Sequence, residues 1–147
     1  MKILAFGKIK NSPYSELSQE YLKRFRGKVE LKELAVGKGS KTEIMQAEAK
    51  ILQAALPQNS FKIFLEVTGK EFTSTALANY VQQKKQQQQD LVFVLGGAYG
   101  FSEEALALAD LKLSLSKLTL PHMLARIILL EQLYRAETIN NNHPYHK

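Results

Sequence analysis

Cysteine is absent from the 147 residues of this chain. The chain can therefore form no disulfide, and it offers no thiolate for a metal site or for nucleophilic catalysis. No segment approaches the roughly 18 uninterrupted apolar residues that predict a membrane-spanning helix. Residues 1–6 are too short for the apolar core of a signal peptide, and Lys8 and Lys10 follow at once. We therefore expect a cytoplasmic protein with no membrane partner.

Positive charge is unevenly distributed along the chain. Lys and Arg outnumber Asp and Glu by 20 to 14, which gives a formal net charge of +6. Residues 1–60 contain eleven Lys or Arg and six Glu, whereas the rest contains nine basic and eight acidic residues. A basic first half favours an anionic partner, with nucleic acid the leading candidate. A solvated surface that only keeps the protein soluble would give the same pattern.

Strand and helix patterns alternate five times. The predicted strands are residues 2–6, 29–36, 61–67, 91–95 and 112–116, and helices follow from residues 13, 42, 74, 102 and 121. The alternation predicts one α/β domain over residues 1–147, with a mostly parallel sheet and helices on both faces. Only residues 91–95 are apolar at every position, which places that strand at the centre of the sheet.

The predicted central strand opens onto a glycine loop, Gly96-Gly97-Ala98-Tyr99-Gly100. The loop has neither the Lys-Ser/Thr pair of a P-loop nor the spacing of the dinucleotide fingerprint. A plain strand-to-helix turn would explain it alone. However, a second strand-like run, residues 113–120, adds backbone groups and three hydroxyls at the same edge of the sheet, where parallel sheets bind ligands. Because glycine lets the backbone approach a ligand closely, the pair favours a small, polar, adenosine-like molecule.

Metal ligation and side-chain nucleophiles find little support. His122, His143 and His146 match no nucleophile at a recognised spacing. His143 and His146 lie in a proline-containing tail with no acid nearby, so we expect no metal site. Glu103 and Glu104 begin a predicted helix, where the helix dipole favours acidic side chains without any catalytic role.

The last predicted helix, residues 121–139, is apolar around most of its circumference, and Arg126, Glu131 and Arg135 interrupt that surface. Such a helix has to be covered on more than one side. Either it is an unusually buried core helix, or a second copy of the chain covers part of it. We favour a homodimer.

Four segments of the chain occur together in one known family. They are Gly96-Gly97-Ala98-Tyr99-Gly100, residues 115–122, Glu131-Gln132-Leu133-Tyr134-Arg135-Ala136, and Asn142-His143-Pro144-Tyr145-His146-Lys147. With residues 1–8 and 65–70, this combination resembles the SPOUT-class RNA methyltransferases over essentially the full length. The resemblance implies an α/β fold with a C-terminal trefoil knot, an exception to unknotted topology. It further implies S-adenosylmethionine as methyl donor, a homodimer, and methylation of N3 of a pseudouridine in 23S rRNA, on assembled ribosomes.

The resemblance also assigns residues to the site. The cofactor pocket would be lined by Leu65, Gly96, Leu115, Ser116, Lys117, Leu118, Thr119 and Leu120. Tyr145 and His146 in the tail would complete the substrate side and reach toward the partner subunit's cofactor. We assign His146, or a water that it orients, as the base for the N3 proton, and Arg135 as the group that stabilises negative charge on the neighbouring carbonyl oxygens.

RNA binding would use the basic first half. We expect seven basic side chains to contact RNA phosphates: Lys8, Lys10, Lys23, Arg24, Arg26, Lys38 and Lys41. Two other functions are compatible with the same sequence features. One is a non-catalytic RNA-binding protein with the same fold, which would not bind S-adenosylmethionine. The other is a flavodoxin-like nucleotide binder of ordinary topology, which would purify with a flavin spectrum.

Overall fold

The computed structural model describes residues 1–10 and 12–147. Within these residues the chain forms five strands and five helices in strict alternation. The strands are β1 (Lys2–Phe6), β2 (Glu30–Leu34), β3 (Ser60–Glu71), β4 (Asp90–Leu95) and β5 (Leu111–Ser114). The helices are α1 (Pro13–Arg24), α2 (Lys41–Ala55), α3 (Ser74–Gln86), α4 (Glu103–Leu106) and α5 (His122–Asn140).

The strands form one parallel sheet in the order β2-β1-β4-β3-β5. β4 is the middle strand, and residues 91–95 are each at most 3% exposed, which confirms the prediction for this apolar run. The order differs from the 2-1-3-4-5 arrangement of flavodoxin-like sheets, so that rival topology is wrong.

Helices cover both faces of the sheet, as predicted. On one face, Ile3, Ile63 and Phe93 pack with apolar residues of α1, α3 and α5. On the other face, Leu4, Phe64 and Val94 pack with residues of α2 and α4. The alternation of side chains along β1, β3 and β4 therefore separates two apolar cores across one sheet.

Several predicted boundaries need correction. Pro13 is the first residue of α1, as expected, but the Ser12 side chain accepts no capping hydrogen bond. β2 ends at Leu34, two residues earlier than the pattern predicts, and β3 continues to Glu71 beyond the expected end near Gly69. The polar run of residues 82–89 forms the end of α3 and the turn after it, and most of its side chains are exposed.

α5 packs between α1 and α3, so a single subunit already buries most of its apolar surface. Ile127, Leu129, Leu130, Leu133 and Ala136 are each at most 6% exposed. The core-helix alternative thus explains much of the apolar pattern, although 37% of Leu124 remains exposed.

Among the helices that the structure describes, none is both long enough and apolar enough to cross a bilayer.

β3 contains a bulge that shapes one edge of the sheet. Leu65 and Lys70 both pair with Leu113 of β5, so residues 66–69 are left out of the ladder. At the end of this excursion, the backbone of Gly69 lies directly on β5. A Cβ atom added to Gly69 would lie 2.7 Å from the carbonyl carbon and oxygen of Lys112.

Gly69→Ala is therefore expected to lower the free energy of unfolding by about 1–3 kcal/mol, because backbone atoms have to move to admit the methyl group. A urea titration measures the change. Gly27→Ala is the matched control, since its nearest neighbour would be Glu137 Oε2 at an ordinary 3.7 Å. We expect the control to change stability by less than about 0.5 kcal/mol. Equal stability of the two variants would contradict the packing seen at Gly69.

Candidate functional site

A cavity of about 210 Å³ lies at the bulge of β3 and beyond the carboxyl ends of β4 and β5. We call it the strand-end cavity. Its floor and walls come from three segments and from the start of α5, which contributes His122 and Ala125. The lining residues are Leu65, Glu66, Val67, Leu95, Gly96, Gly97, Ala98, Gly100, Phe101, Leu113, Leu115, Ser116, Leu118, Thr119, Leu120, His122 and Ala125.

The glycine loop forms one wall as a tight turn. The Gly100 N–H donates to the Gly97 carbonyl over 3.2 Å, and Gly100 has a φ of +73°, which glycine adopts without strain. Ala98 and Tyr99 are exposed at the tip of the turn. A Cβ on Gly96 would meet the Phe101 ring at 3.3 Å, so this wall has room for backbone only.

The loop after β5 forms the opposite wall, and its own hydroxyls hold its shape. Ser114 Oγ donates to the Ser116 carbonyl, and the Leu118 N–H donates to Ser116 Oγ, both over 3.0 Å. Leu118 remains 73% exposed beside the cavity. The Ser116 hydroxyl therefore orders the loop.

Seven of the eight residues assigned to the cofactor pocket line this one cavity: Leu65, Gly96, Leu115, Ser116, Leu118, Thr119 and Leu120. Lys117 does not line it. The Lys117 side chain is 85% exposed, and its Nζ lies 3.8 Å from Glu71 Oε2.

A buried carboxylate that the pattern analysis missed lies behind the glycine loop. Glu48 on α2 is 4% exposed, and a Cβ on Gly97 would lie 2.6 and 2.7 Å from its two oxygens. Burial raises the pKa of Glu48, and the nearby backbone N–H groups of Gly37 and Gly97 oppose this rise. One signal was available: Glu48 lies four residues after Ile44 and four before Leu52, on the apolar side of the helix.

The three residues assigned to catalysis lie together near the C-terminal end of α5. Arg135 Nη2 donates to Glu131 Oε1 over 2.6 Å, and Arg135 Nη1 lies 3.3 Å from His146 Nδ1. Tyr145 donates from its hydroxyl to the same Glu131 oxygen over 3.2 Å, and its ring lies under the Arg135 guanidinium. We call Glu131, Arg135, Tyr145 and His146 the tail cluster.

Ionisation limits what two members of the tail cluster can do. Burial, with hydrogen bonds to Tyr21 and Glu131, raises the pKa of Tyr145 to about 12. Tyr145 therefore stays protonated at neutral pH and cannot act as a general base. Arg135 can only donate, so the contact with His146 requires an unprotonated Nδ1 that accepts.

The tail cluster and the strand-end cavity are far apart within one subunit. Ala125 lines the cavity, and Arg135 follows ten residues later on the same helix. At a rise of about 1.5 Å per residue, these positions are roughly 15 Å apart along the axis. Reacting groups have to approach within roughly 3–3.5 Å. One subunit thus cannot bring both groups of residues to a single reacting atom in this conformation.

The seven basic residues assigned to RNA binding are all exposed. Only Arg24 among them forms a described ion pair, with Glu20 at 2.6 Å. In the part of the chain that the structure describes, no three His, Asp or Glu side chains group as metal ligands would.

Comparisons with known proteins agree with these observations. A family model described as "Predicted SPOUT methyltransferase" matches residues 1–146. A relative from Legionella pneumophila (strain Paris) is 46% identical over 134 residues, which cover 87% of this chain and 86% of the relative. One from Desulfotalea psychrophila is 42% identical and covers 99% of this chain and 98% of the relative. One from Gluconacetobacter diazotrophicus is 38% identical and covers 100% and 97%. All three are named ribosomal RNA large subunit methyltransferase H.

Proposed function

This chain belongs to the SPOUT methyltransferase family, and from that premise we propose that it uses S-adenosylmethionine to methylate N3 of a pseudouridine in 23S rRNA. The substrate is the large ribosomal subunit within assembled ribosomes, and the enzyme is a cytoplasmic homodimer. Each subunit is a single domain, residues 1–147, whose C-terminal part is tied into a trefoil knot. The observation that carries the proposal is the strand-end cavity, lined by seven of the eight assigned residues.

The cavity suits the proposed methyl donor in shape and chemistry. Leu65, Leu115 and Leu120 supply apolar surface for an aromatic base, and the glycine loop brings bare backbone close to polar groups. When bound, S-adenosylmethionine supplies an electrophilic methyl group on a positively charged sulfur. The protein then has to align the acceptor and exclude water, and such positioning contributes about 7–11 kcal/mol to a barrier reduction.

The tail cluster supplies the proton chemistry. His146 is exposed and accepts the N3 proton, directly or through a water that it orients. A hydrogen bond from Arg135 would occupy Nδ1, which faces the guanidinium at 3.3 Å and would have to be free to accept the N3 proton. Arg135 therefore has to turn from His146 toward a substrate carbonyl oxygen, where its charge stabilises the developing anion. Tyr145 holds Glu131 and stacks on Arg135, which orients the guanidinium.

The distance between the cavity and the tail cluster supports a composite site. If each tail reaches the cavity of the partner subunit, both parts can meet at one substrate atom. Exposed apolar residues offer a surface for such pairing: Tyr14 and Leu17 on α1 are 40% and 42% exposed, and Leu124 on α5 is 37% exposed. A homodimer would thus be needed for catalysis.

The substrate class rests on the names of the relatives and on the basic first half. Lys8, Lys10, Lys23, Arg24, Arg26, Lys38 and Lys41 present exposed positive charge. Shape recognition on the ribosome would supply selectivity that a small domain cannot obtain from base contacts alone.

Methylation of defined substrates tests the function. We expect the purified chain with S-adenosylmethionine to methylate ribosomes that contain the target pseudouridine, and mass spectrometry of nucleosides should locate the methyl group on N3. Ribosomes with uridine at that position are the matched control. Methylation of both, or of neither, would contradict the assignment. If calorimetry showed RNA binding without S-adenosylmethionine binding, the non-catalytic alternative would replace it.

Salt dependence tests the basic surface. Each phosphate contact that is lost should make the slope of log affinity against log salt shallower by roughly 0.7–0.9. We expect this change for Lys38→Ala and for Lys41→Ala, measured by filter binding of the rRNA. Lys85→Ala, an exposed lysine outside the basic half, is the control and should leave the slope unchanged. Identical slopes for all three variants would place the RNA elsewhere.

A further inference from the structure

Glu48 is a buried carboxylate with no charged partner. It is 4% exposed, and the ion pairs found among the described residues do not include it. Its Oε1 atom has no hydrogen-bond partner in the described part of the chain. Burying a carboxylate without a charged partner is costly, and backbone N–H groups of Gly37 and Gly97 offset only part of that cost, so its presence calls for a compensating role.

The position of this carboxylate relates it to the strand-end cavity. Both Glu48 oxygens pack against the α-carbon of Gly97, since an added Cβ there would lie 2.6 and 2.7 Å away. Gly97 in turn lines the cavity. The carboxylate therefore lies directly behind Gly97, which forms part of the cavity wall. Glycine allows this approach because it has no side chain.

A negative charge on Glu48 would act on a charged ligand in the strand-end cavity. Unit charges several ångströms apart interact appreciably when little water lies between them. Methyl transfer breaks the S–CH₃ bond and leaves its electron pair on sulfur, so a cationic sulfonium becomes a neutral thioether. The amino-acid and adenosine parts are the same in donor and product. A fixed negative charge near the cavity therefore distinguishes the two molecules by the sulfur alone.

We propose that Glu48 determines specificity at this site: its carboxylate favours the cationic methyl donor over the neutral demethylated product. This inference rests on the proposed function. This role explains why a carboxylate without a charged partner is buried here, because its charge would promote both donor binding and product release in the same cavity. A neutral glutamine of the same shape would fill the space but not discriminate.

Calorimetric titration of S-adenosylmethionine and S-adenosylhomocysteine at pH 8 tests the inference. For Glu48→Gln we expect donor affinity to fall about tenfold and product affinity to change less than about twofold. The ratio of the two affinities is the decisive quantity, since a purely structural defect would weaken both ligands together. Retained product binding also shows that the variant is folded.

Glu104→Gln is the control, because Glu104 is an exposed carboxylate at the start of α4 that does not line the cavity. Its affinity ratio should stay close to that of the unsubstituted chain, since solvent screens its charge. Equal losses for both ligands in Glu48→Gln, or a ratio that changes as much in Glu104→Gln, would overturn the role of Glu48. Failure of the unsubstituted chain to bind either ligand would instead overturn the proposed cofactor, and this inference with it.

Discussion

Arg135→Ala is expected to slow methyl transfer about 100- to 1000-fold while leaving the affinity for the methyl donor unchanged. The loss follows from the proposed role of Arg135 in stabilising negative charge on the substrate. The unchanged affinity follows from the assignment of Arg135 to a carbonyl oxygen of the substrate rather than to the methyl donor. Single-turnover rates with saturating ribosomes measure the first quantity, and calorimetry measures the second. Arg135→Lys keeps the charge and should recover part of the rate.

Mixed dimers test whether the tail of one subunit completes the strand-end cavity of the other subunit. Gly96→Val adds bulk to a residue that lines the cavity and should prevent donor binding. If tails act across the dimer, co-refolding equal amounts of Gly96→Val and Arg135→Ala chains creates heterodimers with one intact site. Random pairing makes half of the dimers mixed, so activity should return to roughly a quarter of that of the unsubstituted protein. A mixture as inactive as its components would show that each tail serves its own subunit or none.

Arg126→Met is expected to destabilise the protein by about 3–5 kcal/mol, the largest stability loss that the structure indicates. Arg126 on α5 is 1% exposed, and its Nη1 donates to Glu33 Oε1 over 2.7 Å. Its Nη2 donates to the carbonyls of Phe6 and Gly7 at the end of β1. Without the guanidinium, two carbonyls and a partly buried carboxylate lose the hydrogen bonds that Arg126 donates. Urea titration at fixed protein concentration measures the change.

Two further variants isolate the cause of that loss. Arg24→Ala breaks an exposed pair with Glu20 of similar length and should cost less than about 1 kcal/mol. Arg126→Met combined with Glu33→Leu removes both charges and should recover part of the stability. Recovery stays partial because Glu33 Oε1 also accepts from the Ile9 N–H. A double variant less stable than Arg126→Met would refute the explanation by an uncompensated charge.

The order of elements could be predicted from the sequence because it depends on local patterns. Residues 91–95 are apolar throughout, and only a central strand buries both of its faces. The end of β3 could not be predicted in this way. Its last residues pair with β5 only after a bulge, and that pairing depends on contacts with a segment more than forty residues away.

The parts of the candidate site that are formed by backbone turns could be predicted from the sequence. Glycines and the loop after β5 indicated the cavity, but Lys117 lies outside its lining because loop side chains follow no period. Glu48 and Arg126 lie within apolar helix faces, and the pattern shows that they interrupt those faces. Their roles depend on which strand ends lie opposite, and this is a tertiary property that no spacing contains.

The four-residue excursion in β3 gives the cavity one wall that the sheet does not constrain. Residues 66–69 do not pair with β5, and the pairing resumes at Lys70, after the bulge. Lengthening this stretch ahead of Gly69 would enlarge the pocket without shifting the register of any strand. If the cavity holds the proposed sulfonium donor, such a variant should accept bulkier sulfonium analogues and label RNA with larger alkyl groups.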